Sequence, residues 1–166
     1  MGSRDATAIN DSSLQHYVFV YGTLKRNEPN HGVLTDTSTG KQKFVATGTT
    51  TVPYPLVIAS RYNIPFLLDR AELGKIVHGD VFAVDDSKLC ALDALESHPT
   101  YYVRRLEPIK IDNGGVLHCW TYFLPKFRDA LLSLPMYACY NSSGPHGKVY
   151  VESEDDIESE SDIYDD

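Results

Sequence analysis

Two pieces of this chain could do carbonyl chemistry. The first is Gly22-Thr23-Leu24, directly after the apolar and aromatic run Tyr17-Val18-Phe19-Val20-Tyr21. A glycine elbow at the end of a buried strand can aim successive backbone N–H groups into one concavity. Such a nest suits a carboxylate or a developing oxyanion. A strand that stops at Gly22 for structural reasons alone would read the same way locally. The second piece is Glu96. On an ideal helix counted from Leu89, Leu92 falls at about 300°, Leu95 at about 240° and Glu96 at about 340°. The carboxylate therefore sits on the apolar stripe. It also lies in the last turn, where the helix dipole disfavours an anion. Burial and dipole both push a carboxyl pKa upward, toward the range of a general base. A helix that frays by Ser97 and leaves Glu96 in water is the plain structural alternative. Asp93, at about 40° on the same wheel, is a weaker candidate of the same type.

These residues need elements to hold them. Tyr17 to Tyr21 reads as a buried strand. Arg26 to Gly32 reads as a loop, punctuated by Pro29 and Gly32. Lys43 to Val52 is rich in β-branched residues, with a bulge expected at Gly48. Leu56-Val57-Ile58 and Ile64 to Leu68 are short strands, and Glu72-Leu73-Gly74 is a turn. Lys75 to Val84 reads as a strand, then Asp85-Asp86 cap a helix over Ser87 to Ser97 that His98-Pro99 stops. Tyr101 to Ile111 and Val116 to Leu124 flank Asp112-Asn113-Gly114-Gly115, a hairpin signal. Phe127 to Leu134 reads as a short helix, and Tyr137 to Gly147 as a loop. Many strands with one firm helix predict an α+β domain, a small mixed or antiparallel β-barrel with a few packed helices.

The totals bound the function. At 166 residues the chain is one domain with room for a core. Its net charge of −8 comes from the tail, since Val151 to Asp166 carries nine acidic residues and no Lys or Arg. The rest holds 14 acidic and 15 basic residues, with no basic face of the kind nucleic acid needs. No apolar run approaches the ~18 residues of a membrane span, and Met1 to Ser13 lacks the apolar core of a signal peptide. Cys90, Cys119 and Cys139 make neither a disulfide framework nor a zinc pattern. The expectation is a cytoplasmic protein with residues 1–14 as a disordered arm, 15–150 as the domain and 151–166 as a disordered acidic tail. Ser153 and Ser159 in that tail have acids three residues on and suit an acid-directed kinase, which would prime the tail for a basic protein partner.

Tyr21-Gly22-Thr23-Leu24-Lys25-Arg26, with Asn30-His31 just beyond, resembles the opening of the γ-glutamylamine cyclotransferases, in the AIG2-like branch of the γ-glutamylcyclotransferase-like superfamily. Leu92-Asp93-Ala94-Leu95-Glu96 is similar to that family's helix ending in its catalytic glutamate. Tyr102-Val103-Arg104 resembles its Tyr-x-Arg, and Ser143-Gly144-Pro145-His146-Gly147 with Tyr150 resembles its C-terminal loop. The resemblance implies a small barrel that cyclises a γ-glutamyl group to 5-oxoproline and releases an amine, without metal or organic cofactor. It places Tyr21, Gly22, Thr23 and Leu24 in the substrate-binding loop and Glu96 as acid/base. The substrate is a γ-glutamylamine such as γ-glutamyl-ε-lysine, with γ-glutamyl dipeptides or glutathione as the alternative. A third reading is a binding protein that kept the fold and lost the reaction.

Other residues read less sharply. Arg104 either clamps the substrate's α-carboxylate or is a surface cation on a strand. Tyr102, Tyr137 and Tyr140 line a pocket or simply pack. His146 orients a wall of the site or braces its own loop. His78, His118 and Cys119 have no standard zinc spacing. Neither Cys90 nor Ser87 has a neighbouring base to activate it.

Overall fold

The structure, a computed structural model, describes residues 12–144, 146–148 and 150–151. Most of the expected N-terminal arm and the acidic tail after Val151, with Ser153 and Ser159, lie outside the described residues.

Five strands close into a barrel in the order β1, β5, β2, β6, β7. The aromatic run becomes β1 (His16–Val20). It pairs antiparallel with β5 (His78–Val84), which pairs antiparallel with β2 (Gln42–Thr50). β2 meets β6 (Val103–Ile111), and β6 forms a hairpin with β7 (Val116–Phe123). The circle closes where β7 runs parallel to β1, with Val18 opposite Trp120. In the hairpin turn Gly114 takes a φ of 96° and Asn113 Oδ1 accepts the Gly115 N–H at 2.8 Å, the backbone for which that Asn-Gly pair is suited. A separate hairpin, β3 (Leu56–Ala59) and β4 (Ile64–Leu67), is tied to the end of β7 by the Leu124 N–H to Leu67 O bond of 2.9 Å.

Strand alternation sorts the core into two clusters. Phe19, Val81, Ile109, Cys119 and Phe123 pack with Tyr21 and Tyr140, one side of the barrel sheet. Val18, Val20, Phe82 and Val84 point the other way and pack against Leu89 and Leu92 of the long helix, with Leu34 and Leu131. The architecture is thus the α+β class with a small mixed barrel.

The long helix runs Asp86–Leu95; a single-turn helix, His31–Thr35, precedes it, and the two are α2 and α1. Asp85 caps α2 by accepting the Lys88 N–H at 2.8 Å. The helix ends with Glu96 as its C-cap and Ser97 at φ 53°, in the left-handed region.

Five expectations are corrected. The helix stops at Leu95 rather than Ser97, because Ser97 turns left-handed before Pro99 is reached. The bulge in β2 lies between Phe44 and Ala46; Gly48 pairs in register with Gly79. Strand β5 begins at His78, since Lys75 instead bridges to Tyr54. Over Phe127 to Leu134 there is only a 3-10 turn, Asp129–Ser133. The stretch read as loop over Arg26 to Gly32 runs into α1.

Candidate active site

The elbow is built by its neighbours in sequence. The Lys25 N–H closes the turn onto Gly22 O at 3.1 Å. Asn30 grips it twice, with backbone N–H to Thr23 O at 2.9 Å and Nδ2 to Thr23 Oγ1 at 3.1 Å. His31 Nδ1 lies 2.9 Å from Leu24 O, so that nitrogen carries the proton and donates. The flank is held elsewhere. The Arg26 N–H and Nε donate to Asp80 of β5 at 2.9 and 3.2 Å, and Lys25 Nζ donates to Tyr140 O. These contacts explain why Lys25, Arg26, Asn30 and His31 accompany the glycine: they set the path of the loop. Among the described residues, the N–H groups of Gly22, Thr23 and Leu24 meet no protein acceptor. They remain for a ligand.

Gly22 is needed for close approach. A Cβ there would stand 2.8 Å from Pro65 Cγ of β4, a contact no ordinary side chain makes. The β3–β4 hairpin thereby reaches the elbow and supplies a wall.

A cavity of about 80 Å³ lies at this point. It is lined by Phe19 to Leu24, by Ile64 and Pro65, and by Glu96, Tyr102 and Tyr122. The structure therefore brings together four residues of the elbow, Tyr21, Gly22, Thr23 and Leu24, with Glu96, which is more than 70 positions away in sequence. Among the described residues, Glu96 is the only Asp, Glu, Lys, Arg or His on the wall. The residue as a whole is half-buried. Its carboxyl is nonetheless desolvated enough that burial alone pushes its pKa up to about 7. The two facts describe different parts of the residue, and the carboxyl's surroundings govern its proton. Among the described residues no cation or hydrogen-bond donor offsets that burial. The Glu96 charge reaches Tyr21 and Tyr122, whose phenols are raised first by burial; Asp93 ranks next for Tyr122 and adds to its rise.

Arg104 is placed elsewhere. It does not line the cavity. Its guanidinium forks onto Asp93, Nε to Oδ1 at 2.7 Å and Nη2 to Oδ2 at 3.0 Å, and lies 4.2 Å over the Trp120 ring. A direct clamp on a substrate carboxylate gives way to an ion pair within the protein. Asp93, read as a second candidate base, is for that reason the opposite of Glu96. Burial works against its charge, but hydrogen bonds from Arg104 and Tyr122 hold it below the usual carboxylate range.

Of the other candidates, Tyr102 lines the cavity and the rest fall outside it. Tyr137 packs on His146 at 5.6 Å between ring centres, and His146 Nε2 donates to Asn141 O at 2.7 Å. Tyr140 is buried beside the barrel cluster. His78 and His118 are exposed, while Cys119 is buried and its thiol is pushed up to about 12. Among the described residues no group of three His, Cys, Asp or Glu side chains could hold a metal. Cys90 and Ser87 sit exposed on α2. Tyr122, Ile64 and Pro65 are wall residues that the sequence reading did not single out. In an alternating strand, Tyr122 shares a face with Trp120, and nothing else marks it.

Comparison with known proteins places the chain among relatives. The model of the family described as gamma-glutamyl cyclotransferase, AIG2-like, matches residues 18–142. The human gamma-glutamylaminecyclotransferase is 42% identical over 144 residues, covering 80% of this chain and 94% of that protein. Gamma-glutamylaminecyclotransferase B of Danio rerio is 40% identical over 142 residues, covering 83% of this chain and 74% of that one. The crystal structure of an AIG2-like protein from Mus musculus superposes with a TM-score of 0.81 at 38% identity, covering 84% of this chain and 97% of that one. No helix among the described residues is long and apolar enough to cross a membrane. Matched by that family model over residues 18–142, 42% identical to the human protein and sharing the fold of the mouse one, the chain belongs to the AIG2-like gamma-glutamyl cyclotransferase family.

Proposed function

We propose that this protein cyclises the γ-glutamyl group of a γ-glutamylamine, such as γ-glutamyl-ε-lysine, to 5-oxoproline and releases the amine, with Glu96 as general acid/base. The observation that carries the reading is the Glu96 carboxyl, raised to about 7 by burial alone, in one small cavity with the Gly22–Leu24 elbow.

The chemistry asks for three things. The substrate's α-amine is protonated in water and cannot attack until a base takes one proton. Glu96, poised near neutrality, takes it. The amine nitrogen then bonds to the γ-carbonyl carbon, and the carbonyl oxygen becomes negative. Backbone N–H groups of Gly22, Thr23 and Leu24 receive that charge, an effect of about 3 kcal/mol per donor in comparable sites. The bond from that carbon to the departing amine breaks as Glu96 returns the proton to it and the carbonyl re-forms; the regenerated carboxylate then takes the second proton from the ring nitrogen, which becomes the single N–H of the lactam, and passes it to the released amine. A positioned acid/base contributes about 10²–10⁴-fold. The cavity also folds the glutamyl chain so that its two ends meet, which is the larger part of an intramolecular attack. No side-chain nucleophile and no metal takes part in this scheme.

The experiment is 5-oxoproline release over a panel of γ-glutamyl-ε-lysine, γ-glutamyl dipeptides and glutathione. Turnover of the γ-glutamylamine is expected, with Glu96→Gln folded but slower by about 10³. Near-native turnover by the variant would end the assignment of Glu96.

A further inference from the structure

The polar groups of the cavity are sorted by what they can do. The elbow presents N–H donors. Glu96 and the tyrosines Tyr21, Tyr102 and Tyr122 line the same cavity. A hydroxyl has one hydrogen to give and two lone pairs to receive. The Tyr21 hydrogen goes to Tyr122 O at 2.7 Å. The Tyr122 hydrogen goes to Asp93 Oδ1, also at 2.7 Å. That direction is forced, because Asp93 is ionised and can only accept, with its two oxygens taken by the fork of Arg104. Arg104 in turn is held from two sides, its guanidinium over Trp120 and its N–H 3.3 Å from His98 Nδ1.

The consequence concerns the oxygen of Tyr122. With its hydrogen spent on Asp93, it offers lone pairs only. It repels a carbonyl or carboxylate oxygen and suits an N–H donor. We propose that Tyr122 is a substrate-binding residue whose phenol oxygen accepts a hydrogen bond from the substrate's α-ammonium beside Glu96, and that Asp93 and Arg104 are positioning residues that hold the phenol in this state. The inference rests on the reading that the cavity takes a γ-glutamyl group.

The contact serves the reaction as well as binding. One of the three ammonium protons passes to Glu96, while the other two stay on the nitrogen, one of them hydrogen-bonded to the Tyr122 oxygen. The freed lone pair then attacks the γ-carbonyl carbon, whose oxygen lies toward the elbow donors. The same sorting orients the substrate, since swapping its ends would set the carbonyl against acceptors and the ammonium against donors. A specificity follows: γ-acyl amides that lack the α-amine lose this contact.

The test is steady-state cyclisation of γ-glutamyl-ε-lysine together with inhibition by its deamino analogue, glutaryl-ε-lysine, which cannot cyclise. Tyr122→Phe keeps the ring and removes the oxygen. It is expected to raise KM for the γ-glutamyl substrate about tenfold, the value of one hydrogen bond to a charged group, with the Ki of the deamino analogue unchanged. Asp93→Asn is the second variant and should raise KM in the same sense while the pH midpoint assigned to Glu96 stays in place. If KM and Ki rise together in Tyr122→Phe, Tyr122 is only a wall and the proposal falls. If neither moves, it falls too. Failure of the wild-type protein to release 5-oxoproline from any γ-glutamyl compound is a separate outcome, which overturns the proposed function and this inference with it.

Discussion

The two ends of helix α2 each carry an ionisable side chain on the buried face, and they are treated in opposite ways. At the N-terminal end Lys88 is fully buried. Its Nζ donates to Asp36 O at 2.7 Å, to Thr39 Oγ1 at 2.6 Å and to Val33 O at 3.5 Å. Burial lowers its pKa, while the charges of Asp36 and Asp85 favour the ammonium. At the C-terminal end Glu96 has burial without such partners, and its carboxyl rises to about 7. Burial is therefore not what separates a structural charge from a chemical one. The partner set is. Lys88 staples the segment after α1 to the helix, and every donor has work inside the protein. Glu96 is left with proton affinity to spare.

This contrast can be broken or sharpened by measurement. Replacing Lys88 by Met keeps the stem and leaves carbonyls of α1 and its following turn unserved. A loss of about 3 kcal/mol in urea unfolding is expected, from the worth of charged hydrogen bonds plus stranded acceptors. A loss near zero would mean that the ammonium is idle. Glu96→Gln should act in the other direction. Below pH 4.5 the wild-type carboxyl is protonated in folded and unfolded chains alike and costs nothing. As pH rises from 4.5 to about 7, the unfolded chain releases its proton while the folded one retains it, so the folded state loses stability. The variant should therefore gain on wild type across that window, reaching about 2 kcal/mol at alkaline pH once solvent contact of the half-buried residue is allowed for. Equal stability at all pH values would place the carboxyl in water. The same group gives kcat/KM an acid limb with a midpoint near 7, rising with pH as Glu96 becomes a base. Smallest is the cap. Asp85→Ala removes the acceptor of the Lys88 N–H and should cost about 1 kcal/mol without moving that midpoint.

Both halves of the candidate site were legible in the chain, for local reasons. A buried strand that breaks at glycine announces an elbow, and a glutamate in phase with Leu89 and Leu92 announces a misplaced charge. The resemblance joined the two across more than 70 residues; no local pattern does. What local pattern could not carry was partnership. Asp93 and Arg104 lie eleven positions apart on a helix and a strand, and only the chain's turn through Ser97 to Tyr102 folds one onto the other. Tyr122 looks like any strand tyrosine until barrel closure sets β7 beside α2. Helix α1 escaped because five residues make one turn, too short for a period to register. Its N-terminal Asn30 spends its side chain on Thr23 rather than on a cap.

Barrel closure has a bearing on how the protein is made. The elbow follows β1, which is locked on one side by β5 and on the other by β7, whose last residue is Phe123. Glu96 and Tyr122 are also late arrivals. A nascent chain therefore carries the elbow long before the cavity is complete, and the aromatic run meets its β5 partner only once Val84 is made and its β7 partner only once Trp120 is made. Such a delay between the first and last strands makes for slow, non-local folding and a window of exposure. A chain cut short of Tyr122 lacks part of the cavity's lining.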